Sequence, residues 1–403
     1  MLTSLALIFL CGLLLGSIFK KLRLPSLIGM LIVGIVLGPY VLNLLDDSIL
    51  SISADLRELA LIIILTRAGL SLDLEDLKKI GRPAVLMSFI PACFEMLGTI
   101  LIAPKLFSIS LLDGALLAAV VASASPAVIV PRMLKLMDTG YGTNKSIPQL
   151  ILAGDSVDDI FNIVVFTSLL GLTLNKGAGN ISLQQASISP LRFLEIPVSI
   201  FLGILIGILV GYLLSQLFKR MHIRDSAKVI ILLSAAFLLV GLEKLITGII
   251  PFSGLLSVMT SGVILLRNLP AVASRISVKF SKLWVGAEVM LFVLVGASVN
   301  IHYAANAGIK AIGMLIAVLL FRAVGILLCL IKTKLTWKER LFCTFTGIPK
   351  ATVQAAIGAI PLSMGLPSGE IILAVAVLSI LFTAPLGAFI IDSTYKKLLT
   401  KAN

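Results

Sequence analysis

Runs of about twenty apolar residues recur along almost the whole chain, and a backbone surrounded by lipid can satisfy its amides and carbonyls only within helices or a closed barrel. The runs are long and show little of the alternation that barrel strands require, so helices are expected throughout. With 59% hydrophobic and 13% charged residues among 403, the chain reads as a polytopic membrane protein. Thirteen spans are expected, centred near Phe9, Ile35, Leu61, Glu95, Ser123, Asp159, Ile204, Ala235, Met259, Phe292, Met314, Lys350 and Thr383. The first has no basic leader ahead of its apolar stretch and is expected to be a retained helix.

A net charge of +13 would suit nucleic acid, but its placement points elsewhere. Lys and Arg gather in alternate loops, around Lys20, Lys78, Arg132, Lys219, Arg275, Lys334 and Lys396, while the intervening loops hold little beyond Arg57, Lys105, Lys176, Arg192, Lys244 and Lys310. The positive-inside bias then sets the N-terminus outside, the C-terminus in the cytoplasm and an odd number of spans, in a bacterial-type plasma membrane with no nucleic-acid partner. Cys11, Cys93, Cys329 and Cys343 lie in apolar runs without paired spacing and read as small core residues. Two histidines, His222 and His302, give little material for a metal or catalytic site, and neither a phosphate-binding loop nor a nucleophile elbow occurs. No enzyme and no cofactor is expected.

The chain carries two interrupted apolar spans, separated by the polar connection "NKGAGNISLQQASISP". In "VVASASPAVIVPR" the breakers are Ser123, Ser125, Pro126 and Pro131; in "FTGIPKATVQAAIGAIP" they are Gly347 and Pro349, with Lys350 at the break. Proline removes an amide donor and clashes with the preceding turn, so each helix is expected to unwind and bare backbone groups at mid-membrane depth. A pair of such helices in corresponding positions is the pattern of an inverted-repeat transporter with a midplane site. A Lys at the second break would oppose C-terminal carbonyl dipoles.

"ILAGDSVDDIFNIVVF" sets three acids inside an apolar run. Spacings of three and four bring Asp155, Asp158 and Asp159 to one helix face, with Asn162 a turn further on. A charge at the centre of a membrane helix costs about 2.5–3.5 kcal/mol even on the lenient insertion scale, so such residues face a cavity or a partner. Glu95 is a fourth mid-span acid, and Arg67, Arg322 and Lys350 are the available bases, Arg67 lying near a cytoplasmic end. Arg322 against Glu95 or Asp155 is a plausible structural lock, which leaves Asp158 and Asp159 to be compensated by a proton or a cation. A small hard cation prefers oxygen ligands. It can replace protons on those carboxylates with help from Asn162 and the unwound segment near Ser123 and Ser125.

Across nearly its whole length the chain resembles the monovalent cation:proton antiporter superfamily, most closely its NHA-type sodium/proton antiporters. The resemblance rests on "LPSLIGMLIVGIVLGP" (24 to 39), "LALIIILTRAGLSLD" (59 to 73), "ASASPAVIVP" (122 to 131), "AGDSVDDI" (153 to 160), "LFVLVGASVN" (291 to 300) and "GIPKATVQAAIG" (347 to 358). It implies an NhaA-like antiporter fold: an all-α membrane protein of about 13 transmembrane helices in two inverted repeats with two broken, crossing helices. It further implies a single transporter domain with a core of about 82–173 and 307–395 that moves like an elevator against a dimerisation scaffold, and a homodimer in lipid. Asp158 and Asp159 would hold a transient sodium or lithium ion and carry the protons. Arg322 would pair with Glu95 or Asp155, and Lys350 would stand at the second crossing. Ser125 replaces the aspartate of the family's Thr-Asp-Pro pattern, leaving a neutral ligand there.

The expected function is antiport of sodium or lithium against protons by competition and alternating access. A potassium/proton exchanger on the same fold and a sodium-coupled organic solute symporter stand beside it. The symporter would need an additional polar or aromatic cavity, and only 6% of the residues are aromatic. No filter-like repeat speaks for a channel.

Overall fold

A computed structural model describes residues 1–22, 24–72, 81–177, 195–221, 224–246 and 252–402. Arg23, Lys78, Lys79, Arg192, His222, most of the polar connection after Leu174 and the side chain of His302 lie outside the described residues.

Among the described residues, eight helical stretches are long and apolar enough to cross a membrane: Leu2–Lys21, Arg82–Phe107, Leu111–Thr139, Val198–Arg220, Asp225–Ile246, Pro270–Ala297, Gly308–Cys329 and Gly369–Leu398. Shorter apolar helices occupy Ser26–Leu37, Gly254–Asn268 and Thr352–Ser363, and charged helices Ser53–Ser71 and Ile147–Gly177 complete the set. Every expected span centre falls in a helix or, at Ser123 and Lys350, in an interruption of one. Two details differ from expectation. Pro131 lies inside the helix Pro126–Thr139, which continues past it, so the first interruption belongs to Pro126 and the residues before it. Of the four free cysteines, Cys329 and Cys343 are buried, whereas Cys93 is exposed and Cys11 half-buried.

The chain forms two compact units. One comprises Glu58–Asp73 and Val164–Ala287. In it the helices Glu195–Arg220 and Gly254–Asn268 approach closely along Gly203, Gly207 and Gly211, successive residues on one face. A Cβ on Gly207 would lie 2.7 Å from the Ser257 carbonyl oxygen, and the Ser257 hydroxyl donates to the Gly203 carbonyl at 2.8 Å. This is the small-residue packing that substitutes for a hydrophobic driving force in lipid.

The other unit comprises Met1–Arg57, Leu74–Ile163 and Glu288–Asn403 and holds Glu95, Asp155, Asp158, Asp159, Arg322 and Lys350, whereas Arg67 belongs to the first unit. Its centre consists of two runs of the same design. In the first, Ile90–Phe107 leads to a broken helix, Leu111–Val121 and Pro126–Thr139, and then to Ile147–Gly177. In the second, Ile301–Cys329 leads to Trp337–Thr346 and Thr352–Ile357, and then to Gly369–Leu398. Both broken helices open on a hydroxyl cap with an acid three residues on. Ser110 accepts from the Asp113 amide at 3.1 Å, and Thr336 with Glu339 forms a capping box. Each acid also reaches the loop before the third helix of the other run: Asp113 accepts from the Ser368 hydroxyl at 2.9 Å, and Glu339 from Lys145 at 2.8 Å. Ile301–Cys329 packs along Ile90–Phe107 and Gly369–Leu398. A buried apolar cluster including Ile129, Met133, Ile151, Ile326 and Phe342 fills the ends of these helices nearest Lys145.

Candidate functional site

The two interruptions meet. The first run of helix stops at Val121 and resumes at Pro126, whose missing amide falls at the first helical position, where it would have no helical partner anyway. The second stops at Thr346 and resumes at Thr352. The Ser125 amide donates to the Pro349 carbonyl at 2.9 Å, joining one break to the other. Other bared groups also find partners, as burial demands. The Lys350 amide donates to the Thr383 hydroxyl at 2.9 Å, the Gln354 side-chain amide to the Ser123 carbonyl at 2.9 Å, and the Ala124 amide to Asp158 Oδ2 at 3.0 Å. Gly387 lets the last helix lie against this crossing, since a Cβ there would sit 2.5 Å from Pro349 Cγ.

Around the crossing the charges assemble into one buried network. Arg322, 4% exposed, donates from Nη1 to Glu95 Oε2 at 3.1 Å, from Nη2 to Asp158 Oδ2 at 2.8 Å, and to the Ala122 carbonyl. Lys350, fully buried, reaches Glu95 Oε2 at 2.6 Å. Glu95 thus receives both bases, and Asp158 shares one of them. Of the two partners considered for Arg322, the geometry pairs it with Glu95 and not with Asp155. Lys350, one of the bases available to the acids, sets its ammonium on a carboxylate, while the carbonyl at the first break is met by Arg322.

The other acids have less. Asp159, half-buried, accepts from the Ser123 hydroxyl. Asp155 is 7% exposed, its Oδ2 has no hydrogen-bond partner, and no base pairs with it among the described residues. It lines a cavity of about 20 Å³ together with Asp158, Arg322, Thr346 and Gly347, walled by Met87, Pro91, Ile151 and Ile326, room for about one water. Asn162 bonds back to the Asp158 carbonyl at 2.7 Å and leaves its Oδ1 unpartnered, as is the Ser125 hydroxyl. Among the described residues no group of three or more His, Cys, Asp or Glu side chains converges as a metal would require. The oxygens on offer are those of single carboxylates, hydroxyls and an amide, a donor set whose chemistry suits a hard cation.

Charge balance follows from this list. Glu95, Asp155, Asp158 and Asp159 would carry four negative charges if all were ionised, against two from Arg322 and Lys350. Burial of an uncompensated charge costs several kcal/mol, so the deficit has to be met by protons or cations at the two acids without a base, Asp155 and Asp159. Gln354 and Thr383 were not singled out from the sequence. The one available signal was a lone polar side chain in an apolar run, which is common in membrane helices.

Comparison with known proteins gives a consistent result. A family model described as "Sodium/hydrogen exchanger, transmembrane" matches residues 5–397. Human "Sodium/hydrogen exchanger 9B2" is 30% identical over 420 aligned positions, covering 98% of this chain and 74% of its own length. Mouse "Sodium/hydrogen exchanger 9B1" is 31% identical over 396, covering 94% and 67%. The solved structure of the sodium proton antiporter MjNhaP1 from Methanocaldococcus jannaschii at pH 8 superposes with a TM-score of 0.83 at 22% identity, covering 98% of each chain, which supports the expected all-helical antiporter fold. With a family match over nearly its full length, the chain belongs to the sodium/hydrogen exchangers of the monovalent cation:proton antiporter superfamily.

Proposed function

We propose that this chain exchanges sodium or lithium for protons at Asp159, with alternating access of a core of about 82–173 and 307–395 against the remaining helices, in a homodimer embedded in lipid with its C-terminus in the cytoplasm. The observation that carries the reading is the unequal treatment of the two adjacent aspartates. Asp158 is held by a guanidinium and a backbone amide; Asp159 has a serine hydroxyl and, among the described residues, no base. A carboxylate already tied to an arginine is a poor competitor for a second cation, whereas a half-buried carboxylate beside neutral donors can hold a proton or a small cation in turn. Asp158 then orients the site, with Ser123, Ser125 and Asn162 as neutral oxygen ligands for the ion. Competition for one carboxylate, with crossing allowed only when it is occupied, couples the two flows.

The test uses proteoliposomes under an imposed pH gradient. Sodium, lithium and potassium are added in turn while internal pH is followed for the wild type and Asp159→Asn. Proton movement driven by sodium or lithium and absent in the variant is expected. Wild-type exchange in Asp159→Asn would refute the assignment, and cation-independent pH traces in the wild type would turn the reading to a solute symporter. A response to potassium alone would identify the potassium/proton exchanger.

A further inference from the structure

Ser123 supplies the hydroxyl that Asp159 accepts from, and part of what holds Ser123 in place lies on the other broken helix. The half-helix Leu111–Val121 ends on carbonyls that no further turn of helix takes up. Arg322 donates to the one at Ala122. Those on either side of it, at Val121 and Ser123, both receive the side-chain amide of Gln354, at 3.4 Å and 2.9 Å. Gln354 stands in Thr352–Ile357, just past the second break, and is fully buried, as is Ser123. Both neighbours are acceptors, so the side chain has to present its NH2 with the two donors that it carries. A cationic side chain could satisfy the same carbonyls, but it would also cancel part of the negative surplus at Asp155 and Asp159. A neutral amide leaves that surplus intact.

The clamp bears on Ser123 through backbone geometry. The Ser123 carbonyl and the Ala124 amide belong to one rigid peptide plane. Gln354 holds its oxygen, and its N–H donates to Asp158 Oδ2 at 3.0 Å. The plane before Ser123 is held by Arg322 at the Ala122 carbonyl. With both flanking planes tied, the φ and ψ of Ser123 are fixed, and so is the direction of its Cα–Cβ bond. One freedom remains, because the hydroxyl has a single proton and two acceptors, Asp159 and the Ala124 carbonyl at 3.1 Å. Resting on the assignment of Asp159 as the exchange carboxylate, we propose that Gln354 is a positioning residue of the exchange site. It holds the Ser123 peptide so that the hydroxyl faces Asp159 and the ion bound there, and so sets the affinity for the cation. Without it the plane between Ser123 and Ala124 is tied at one end only and is free to tilt, and the hydroxyl turns part of the time to the Ala124 carbonyl.

A double-mutant cycle on the full chain in proteoliposomes tests this, with the sodium KM and maximal rate of exchange measured for the wild type, Gln354→Met, Ser123→Ala and the double variant. Methionine matches glutamine in length and donates nothing, while Ser123→Ala removes the hydroxyl and keeps the carbonyl that Gln354 holds. Gln354→Met is expected to raise the sodium KM about three- to tenfold, the worth of one hydrogen bond, with a smaller change in maximal rate. Ser123→Ala is expected to raise it by a similar factor, and the double variant by no more than Ser123→Ala alone, because the clamp acts through the hydroxyl. A KM for Gln354→Met within about twofold of wild type, a loss confined to the maximal rate, or factors that multiply in the double variant would overturn the proposal. Where Gln354→Met does not fold or exchanges too slowly for a KM, Gln354→Asn, with its amide on a stem one methylene shorter, is read against the same outcomes. Failure of the Asp159 assignment has a different signature, because Asp159→Asn would then still exchange sodium for protons whatever the Gln354 variants do.

Discussion

Replacing Arg322 by methionine tests the charge network most directly. The guanidinium is 5% exposed and its carboxylate partners Glu95 and Asp158 are 0% and 1% exposed, so solvent screening offers no discount. Its removal leaves Glu95 with Lys350 but strips Asp158 to a single backbone donor at 3.0 Å, and it bares the Ala122 carbonyl at the end of a half-helix. Breaking a buried pair by deleting one partner costs about 3–5 kcal/mol. The Arg322 Nε atom has no hydrogen-bond partner in the native protein, and the stranded carboxylate can neutralise itself by taking up a proton. Both considerations set the expectation at the lower end, about 3 kcal/mol, or roughly a hundredfold in the folding equilibrium. The measurement is equilibrium unfolding in mixed detergent–SDS micelles, followed by tryptophan fluorescence. Arg132→Met serves as the contrast, since the Arg132–Asp392 pair is 16% and 45% exposed and surface pairs contribute about 0–1 kcal/mol. Equal losses in the two variants, or a loss under about 1 kcal/mol for Arg322→Met, would refute the reasoning. Arg322→Lys should recover only part of the loss, because one ammonium cannot span two carboxylates and a carbonyl as the planar fork does.

Glu339→Ala removes both the capping box with Thr336 and the Lys145 contact; a loss of about 2 kcal/mol is expected in the same unfolding assay, and a value within about 0.5 kcal/mol of wild type would show that neither contact matters. Gly387→Ala sets a methyl against Pro349 at the crossing, and a cost of about 1–3 kcal/mol together with slowed exchange is expected; unchanged stability and rate would mean that the last helix does not hold the break in place.

The helices were legible because a long apolar run in lipid has one backbone solution. The breaks were legible because Pro126 and Pro349 stand where polar residues interrupt such runs. Pro131 shows the limit of that argument: the helix Pro126–Thr139 runs on past it, and local sequence does not say which proline the surrounding helices will let a segment accommodate. The acids were legible as a face, since spacing fixes which side of a helix Asp155, Asp158 and Asp159 share. Their partners were not. Whether Arg322 reaches Glu95 or Asp155 depends on how Ile301–Cys329 lies along Ile90–Phe107, a matter of packing between residues 227 apart in the chain. Which acid Lys350 takes was open for the same reason, because the local environment of a break shows only carbonyl dipoles and the tertiary fold brings Glu95 within 2.6 Å.

Placing the two central runs side by side explains why the charges could be buried at all. In each, a break amide reaches a side chain on the third helix at nearly the same sequence separation: Ala124 to Asp158 over 34 residues and Lys350 to Thr383 over 33. The first helix of one run carries Glu95 and that of the other Arg322, and these two pair with each other. The scaffold is repeated, but the charge is not. The mid-membrane acids Glu95, Asp155, Asp158 and Asp159 belong to the first run and the bases Arg322 and Lys350 to the second, so neither run can bury its charged residues without the other. Pairing the runs satisfies Glu95, Arg322, Lys350 and Asp158 and leaves Asp155 and Asp159 in surplus on one helix. That surplus of two carboxylates without a base is what the proposed exchange of a proton for a sodium ion rests on.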